Sequence, residues 1–290
     1  MGGKVKLAVI GDEISQDHAV VTETAARLGF DGVEIRSVAQ CPPHLLDDDA
    51  LAGIRRTLLN AGLAVAGFAP PVFKQDLPAT DRELAAAERV LLRAVEQAGL
   101  LGAPHVRIFS FYRDGDPDPA AAAAVAGELL AALPPDVRLL VETGTRTNTP
   151  TIAHTMDFLD RLGRAGTGVL WDPGNIVFSG WGGDPARDYQ RARALIGHVH
   201  VKDPDGTRRY VRLGDGDVDW PAILRRLAED GYAGYLSLET HWRRSKELTP
   251  HERDHPWGEA FSAGGFPASV ECMEVLRSWR DGLGSVHDAG

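Results

Sequence analysis

Cysteine is nearly absent. Cys41 and Cys272 are the only two in 290 residues, which excludes a disulfide framework and a cysteine-rich zinc site. No apolar run approaches the roughly 18 residues of a membrane-spanning helix. The short run 7–10 near the start is too brief for the hydrophobic region of a secretory signal, so a cytoplasmic protein is expected. Positive charge is in deficit: 31 Lys and Arg stand against 41 Asp and Glu, a formal charge of −10. That balance argues against nucleic acid or an anionic membrane as the main partner, because either would repel the average surface. A dinucleotide-binding glycine fingerprint is missing too, since Gly11-Asp12-Glu13 follows the first strand candidate.

What is present is alternation. Short β-branched runs at 5–10, 32–36, 64–68, 105–111, 138–142, 168–172, 196–202 and 234–240 read as strands. Amphipathic Ala/Leu/Arg-rich segments at 20–28, 49–61, 81–101, 119–133, 152–162, 185–195 and 220–229 separate them, and a closing helix spans 267–281. Helix boundaries are marked by Asp47-Asp48-Asp49 and Thr80-Asp81 at starts and by Gly29, Gly62 and Gly102 after ends. Eight strands, each followed by a helix, predict a single α/β domain over 1–290, a (β/α)8 TIM barrel. The longest irregular stretch, 242–266, is expected as an insertion between the eighth strand and the last helix, and is a candidate contact for a homodimer.

In such a barrel side chains alternate inward and outward, and catalytic groups gather at the C-terminal ends of strands. In Leu139-Leu140-Val141-Glu142 the outward pair is Leu139 and Val141, which turns Glu142 inward. Asp172 shares the inward phase of Leu170; His198, His200 and Lys202 form one inward row; Glu239 points in with Ser237. Carboxylates and imidazoles converging on one barrel mouth need neutralising, because burying them unpaired is costly. A divalent cation is the simplest neutraliser, and a set of oxygen donors with one nitrogen favours Mn²⁺, with Mg²⁺ or Co²⁺ as alternatives, over a thiolate-type zinc site.

Four segments carry a family resemblance: Leu140-Val141-Glu142-Thr143, Trp171-Asp172-Pro173-Gly174-Asn175, Gly197-His198-Val199-His200-Val201-Lys202-Asp203 and Ser237-Leu238-Glu239-Thr240-His241. Gly29-Phe30-Asp31-Gly32-Val33-Glu34 and Leu213-Gly214-Asp215-Gly216-Asp217-Val218-Asp219-Trp220 add to it. Over roughly 6–242 the chain resembles the xylose-isomerase-like sugar isomerase/epimerase superfamily, which includes ketose 3-epimerases, hydroxypyruvate isomerases, inosose dehydratases and endonuclease IV. The resemblance implies that Glu142, Asp172, His200 and Glu239 hold one divalent metal ion per chain. It departs from the three-zinc pattern of endonuclease IV, since Phe68-Ala69-Pro70, Phe109-Ser110 and Asn175 stand where further histidines would be needed. Asn175 also replaces the His that ketose 3-epimerases commonly place there.

The expected activity is metal-dependent isomerisation or epimerisation of a ketose, aldose or keto-polyol through an enediolate, with Glu142 and Glu239 as the catalytic bases. Dehydration of a keto-cyclitol such as an inosose is the alternative, and a non-catalytic sugar-binding barrel is a third. Asn175, His198, Lys202, Arg212 and Trp242 are candidate substrate contacts, with His198 also placed to hydrogen-bond a neighbouring carboxylate. Trp181 is a further candidate wall for a sugar ring, and Trp171, outward-facing, is read as core. Arg208, Arg209 and Arg212 cluster in one loop, and Glu34 and Arg107 share the inward phase and are expected to form an interior ion pair.

Overall fold

The computed structural model describes residues 5–284. Its strands are β1 (Lys6–Ile10), β2 (Gly32–Ile35), β3 (Ala64–Val72), β4 (Val106–Ile108), β5 (Leu139–Glu142), β6 (Thr167–Trp171), β7 (Ile196–Val201), β8 (Asp203–Pro204), β9 (Tyr210–Val211) and β10 (Tyr235–Leu238). Eight of them close into a parallel barrel in the order β1-β10-β7-β6-β5-β4-β3-β2, while β8 and β9 pair antiparallel outside it. The expected single (β/α)8 barrel is therefore the observed fold.

The surrounding helices are α1 (His18–Arg27), α2 (Asp48–Asn60), α3 (Asp81–Leu101), α4 (Pro119–Leu130), α5 (Ile152–Leu162), α6 (Pro173–Ser179), α7 (Pro185–Ala192), α8 (Trp220–Glu229), α9 (Pro250–Asp254), α10 (Glu259–Ser262) and α11 (Gly265–Gly284). They start where a side chain satisfies free backbone donors. Asp47 accepts from the Ala50 amide at 2.7 Å, and Thr80 and Glu83 cap each other's backbone at the start of α3. Among the described residues no helix is long and apolar enough to cross a membrane.

The outward phase of the strands builds the core. Leu139, Val141, Val169, Trp171, Val199, Val201, Leu236 and Leu238 are all fully buried. Each contributes roughly 1.5–3 kcal/mol relative to exposure. Trp171 packs beside Tyr189 of α7, with ring centroids 5.6 Å apart. The inward phase is polar and equally buried: Asp172, His198, His200 and Ser237 expose nothing, and Glu142 and Glu239 only 3% each.

Several boundaries differ from expectation. β3 runs on to Val72 through Pro70-Pro71, tolerated because its register to β4 breaks between Phe68 and Val72. β4 is shorter than 105–111, ending before Phe111, which takes a left-handed backbone (φ 59°). A helix absent from the sequence reading, α6, starts directly after β6, because Asp172 caps it and Pro173 fits its first position. The loop read as carrying arginines folds instead as the β8–β9 hairpin. The 242–266 stretch contains α9 and α10 rather than being wholly irregular.

Candidate metal centre and substrate cavity

Glu142, Asp172, His200 and Glu239 meet at the mouth of the barrel. Each offers one ligand atom, and these atoms lie within 4.8 Å of one another. His200 Nδ1 lies 3.3 Å from Glu239, 3.6 Å from Glu142 and 3.7 Å from Asp172, yet forms no hydrogen bond. Asp172 Oδ2 is likewise without a hydrogen bond, although Lys202 Nζ stands 2.7 Å away outside bonding geometry. A buried imidazole nitrogen and a buried carboxylate oxygen, both unbonded and facing the same point, fit a divalent cation with three oxygen donors and one nitrogen.

The surroundings orient these donors. Asp172 Oδ1 accepts from the Asn175 amide at 2.8 Å, capping α6, which leaves Oδ2 for the cluster. His200 Nε2 is held by both oxygens of Glu34, at 3.1 and 3.2 Å. That fixes which ring nitrogen faces the acids, the usual support for a metal-binding histidine. His198, one inward step deeper, binds Glu34 at 2.8 Å and Ser237 at 2.8 Å. The expected Glu34–Arg107 pair does not form. Glu34 serves the two histidines, and Arg107 donates to Glu142 at 3.1 Å and to the Ala69 carbonyl at 2.7 Å. Inward phase places a side chain inside the barrel; the stagger between strands decides its partner.

Cations balance the acids. Lys202 contacts Asp172 and Glu239; Arg36 binds Glu239, Asp12 at 2.6 Å and Glu13 at 2.9 Å. Burial alone would raise Glu142, but Arg107 and His200 outweigh it and hold the carboxyl at about 2. Glu239 is likewise held well below the ordinary carboxylate range, its burial offset by Lys202, His241 and Arg36. Burial disfavours charge on His200, yet Glu34, Asp172 and Glu142 more than compensate and raise it, so the site holds a proton where a metal would take the lone pair. Lys202 is pinned from behind. Its carbonyl accepts from the Trp220 indole at 3.1 Å, and Gly174 permits the passage, since a Cβ there would sit 2.7 Å from Lys202 Cγ. Asp203 accepts the amides of Gly214, Gly216 and Val218 at 2.9–3.2 Å, which is what the glycine-aspartate segment before α8 accomplishes.

Above the cluster opens a cavity of about 240 Å³. Glu142, Asn175, Lys202 and Glu239 line it. Asn175 donates to Glu142 at 3.0 Å and accepts from the Tyr210 hydroxyl at 3.2 Å. Four other candidate contacts do not reach it. His198 is sealed beneath the cluster. Arg212 is bound to Glu271 of α11, because the β8–β9 hairpin turns it away from the mouth. Trp242 packs against the core, and Trp181 stands outside the cavity with Arg113 over its ring at 5.3 Å. The sequence reading did not single out Arg36, Lys74, Tyr210, His241 or Arg253, all of which line the cavity. Arg36 was within reach, two residues beyond Glu34 and so in its inward phase; the others sit on loops, on the two-residue strand β9 and on the short helix α9, none long enough to carry a periodic signal.

The profile of the xylose isomerase-like TIM barrel family matches residues 22–263. The chain belongs to that family. Solved structures of similar fold include an L-ribulose 3-epimerase (18% identical, TM-score 0.73, covering 98% of this chain and 97% of that one). Another is the probable 3-DHS dehydratase AsbF of Bacillus anthracis (16% identical, TM-score 0.69, 94% and 99% covered). At these identities the likeness is one of fold. The rhizopine catabolism protein MocC of Rhizobium meliloti is 37% identical over 110 residues, 31% of this chain and 33% of that protein, so the match spans about a third of the relative's length.

Proposed function

We propose that this protein is a divalent-metal-dependent isomerase or epimerase of a ketose, aldose or keto-polyol, acting through an enediolate. The observation that carries the reading is the placement of two ionised carboxylates, Glu142 on β5 and Glu239 next to β10, at the two ends of the arc β5-β6-β7-β10. Glu142, Asp172, His200 and Glu239 would hold the cation, with Mn²⁺ favoured, and it would supply the Lewis acidity that an enediolate needs. Glu142 and Glu239 reach a substrate from opposite sides. One accepts the proton α to the carbonyl on a carboxylate oxygen; the other, once it has taken up a proton from solvent, delivers that proton to the opposite face of the enediolate, which inverts the centre. Return of the proton to the adjacent carbon gives aldose–ketose isomerisation instead. Asn175, bonded to Glu142 and Tyr210, fixes the rotamer of the first base. The L-ribulose 3-epimerase neighbour supports this reading.

A second reading, dehydration of a keto-cyclitol, is favoured by Lys202. Burial opposes charge on its ammonium, but Asp172 and Glu239 hold it well above its ordinary range, so it stays protonated and placed to give a proton to a departing hydroxyl. The dehydratase neighbour supports this alternative. Mn²⁺-loaded protein incubated with a panel of keto-sugars and keto-cyclitols in deuterated water tests both. Metal-dependent deuterium at the α-carbon with the carbon skeleton intact is the expected result. Loss of water establishes the dehydratase, and no exchange with any member sinks the enediolate reading.

A further inference from the structure

The cavity above the cluster is much more cationic than the chain. Eight Lys and Arg line it against three Asp and Glu, in a protein of net charge −10. Half of these cations have carboxylate partners: Arg36, Arg107 and Lys202 serve the cluster, and Arg146 pairs with Asp254. The other four, Lys74, Arg113, Arg208 and Arg253, form no ion pair with a carboxylate among the described residues. Lys74 Nζ donates only to the carbonyls of Arg253 at 3.4 Å and Asp254 at 2.6 Å. Arg113 donates to the Thr145 carbonyl at 2.7 Å. Arg253 donates to the Leu248 carbonyl and lies 5.4 Å over the Phe178 ring.

These four come from separate parts of the chain: the loop after β3, the loop after β4, the β8–β9 turn and α9. Gathering them has a cost. Burial, then the Arg107 charge, pushes the Lys74 ammonium down to about 7, and burial with Arg146 lowers Arg113. A solvated surface would let these groups spread apart; here the fold brings them to the lining of one cavity, and a divalent cation on the floor would add to the same field. What relieves such a field is an anion, and guanidinium forks match carboxylate and phosphate alike.

We propose that the substrate is itself anionic: a keto-polyol bearing a carboxylate or phosphate at the end remote from its reacting carbons, that charge being held by Lys74, Arg113, Arg208 and Arg253. The keto-polyol half rests on the isomerase reading above; the anion half rests on the cavity alone.

The test is calorimetry on the Mn²⁺-loaded protein with three ligands of one carbon skeleton: a neutral ketohexose, the matching keto-hexuronate and the ketohexose 6-phosphate. At least one anion should bind about tenfold or more tighter than the neutral sugar, with the preference shrinking at about 0.5 M salt. The double variant Arg113→Gln/Arg253→Gln should cut the anion-to-neutral affinity ratio by about 10–100-fold, as expected for losing two charge-assisted contacts. Both arginines are half-buried, and each single variant reads the same ratio if the double variant folds poorly. Which anion wins names the charged group. Equal or tighter binding of the neutral sugar, or a ratio that survives the double substitution, overturns the proposal. Deuterium exchange separates the two readings. Exchange on the neutral sugar without anion preference removes only the anionic substrate, whereas anion preference without metal-dependent exchange on any ligand removes the isomerase and leaves the anion site.

Discussion

Glu34 holds His200 by the nitrogen turned away from the acids: Nε2 lies 3.1 and 3.2 Å from the two carboxylate oxygens, while Nδ1 faces Glu142, Asp172 and Glu239. The ring therefore has one fixed orientation before any ion arrives, and Glu34 binds His198 with the same carboxylate.

Metal analysis after reconstitution with Mn²⁺ should find one ion per chain, removable by a chelator with loss of activity. His200→Ala should abolish tight binding. His198→Ala, which leaves the four donors in place and removes only support, should weaken it about 10–100-fold. Calorimetric titration of Mn²⁺ into both variants gives the order, and a reversed order would assign the donor role to the deeper histidine.

Glu142→Gln and Glu239→Gln each keep an oxygen donor and remove a proton acceptor. Each should lower turnover by about 10²–10⁴-fold, with no recovery on saturating Mn²⁺. In deuterated water one variant should still exchange the α-proton without completing inversion. Near-normal turnover of both at metal saturation would make them ligands only, and would shift proton transfer to Lys202.

Arg36 binds Asp12, Glu13 and Glu239, all buried. Arg36→Met leaves these carboxylates in a low-dielectric interior without their shared cation. Urea unfolding should show a loss of about 3–5 kcal/mol, the cost of breaking a buried pair from one side.

Lys74 titrates near 7 in the fold and near 10.5 when unfolded. Between those values the unfolded chain binds the extra proton, so this group makes stability rise with pH from about 7 toward 10.5, and its cost is fully present below 7. Lys74→Met should be more stable relative to the parent at pH 6 than at pH 10. Chemical denaturation at the two pH values reads the difference, and parallel curves would refute it.

The strand-end acids were legible because period-two alternation and the barrel count together state which side chains enter the mouth. Glu142, Asp172 and Glu239 needed nothing more. Partnerships across the barrel were not legible. Glu34 and Arg107 share a phase, but lie on strands whose stagger gives one to the histidines and the other to Glu142. Nor were the cavity walls, since Lys74, Tyr210 and Arg253 reach the mouth through a loop, a two-residue strand and a short helix where hydrophobic periodicity is silent. Trp242 and Arg212 were drawn toward the site by proximity in sequence, whereas core packing and Glu271 hold them elsewhere.

Asp172 directs its two oxygens to two tasks, one starting α6 and the other facing the cluster. A single planar carboxylate thus joins the floor of the site to a helix that carries Asn175 and Phe178, the latter stacked on Tyr210 at 4.7 Å. A tilt of that plane to meet an ion would carry the first turn of α6 with it, so the floor of the site and the wall bearing Asn175 and Phe178 are coupled through one side chain.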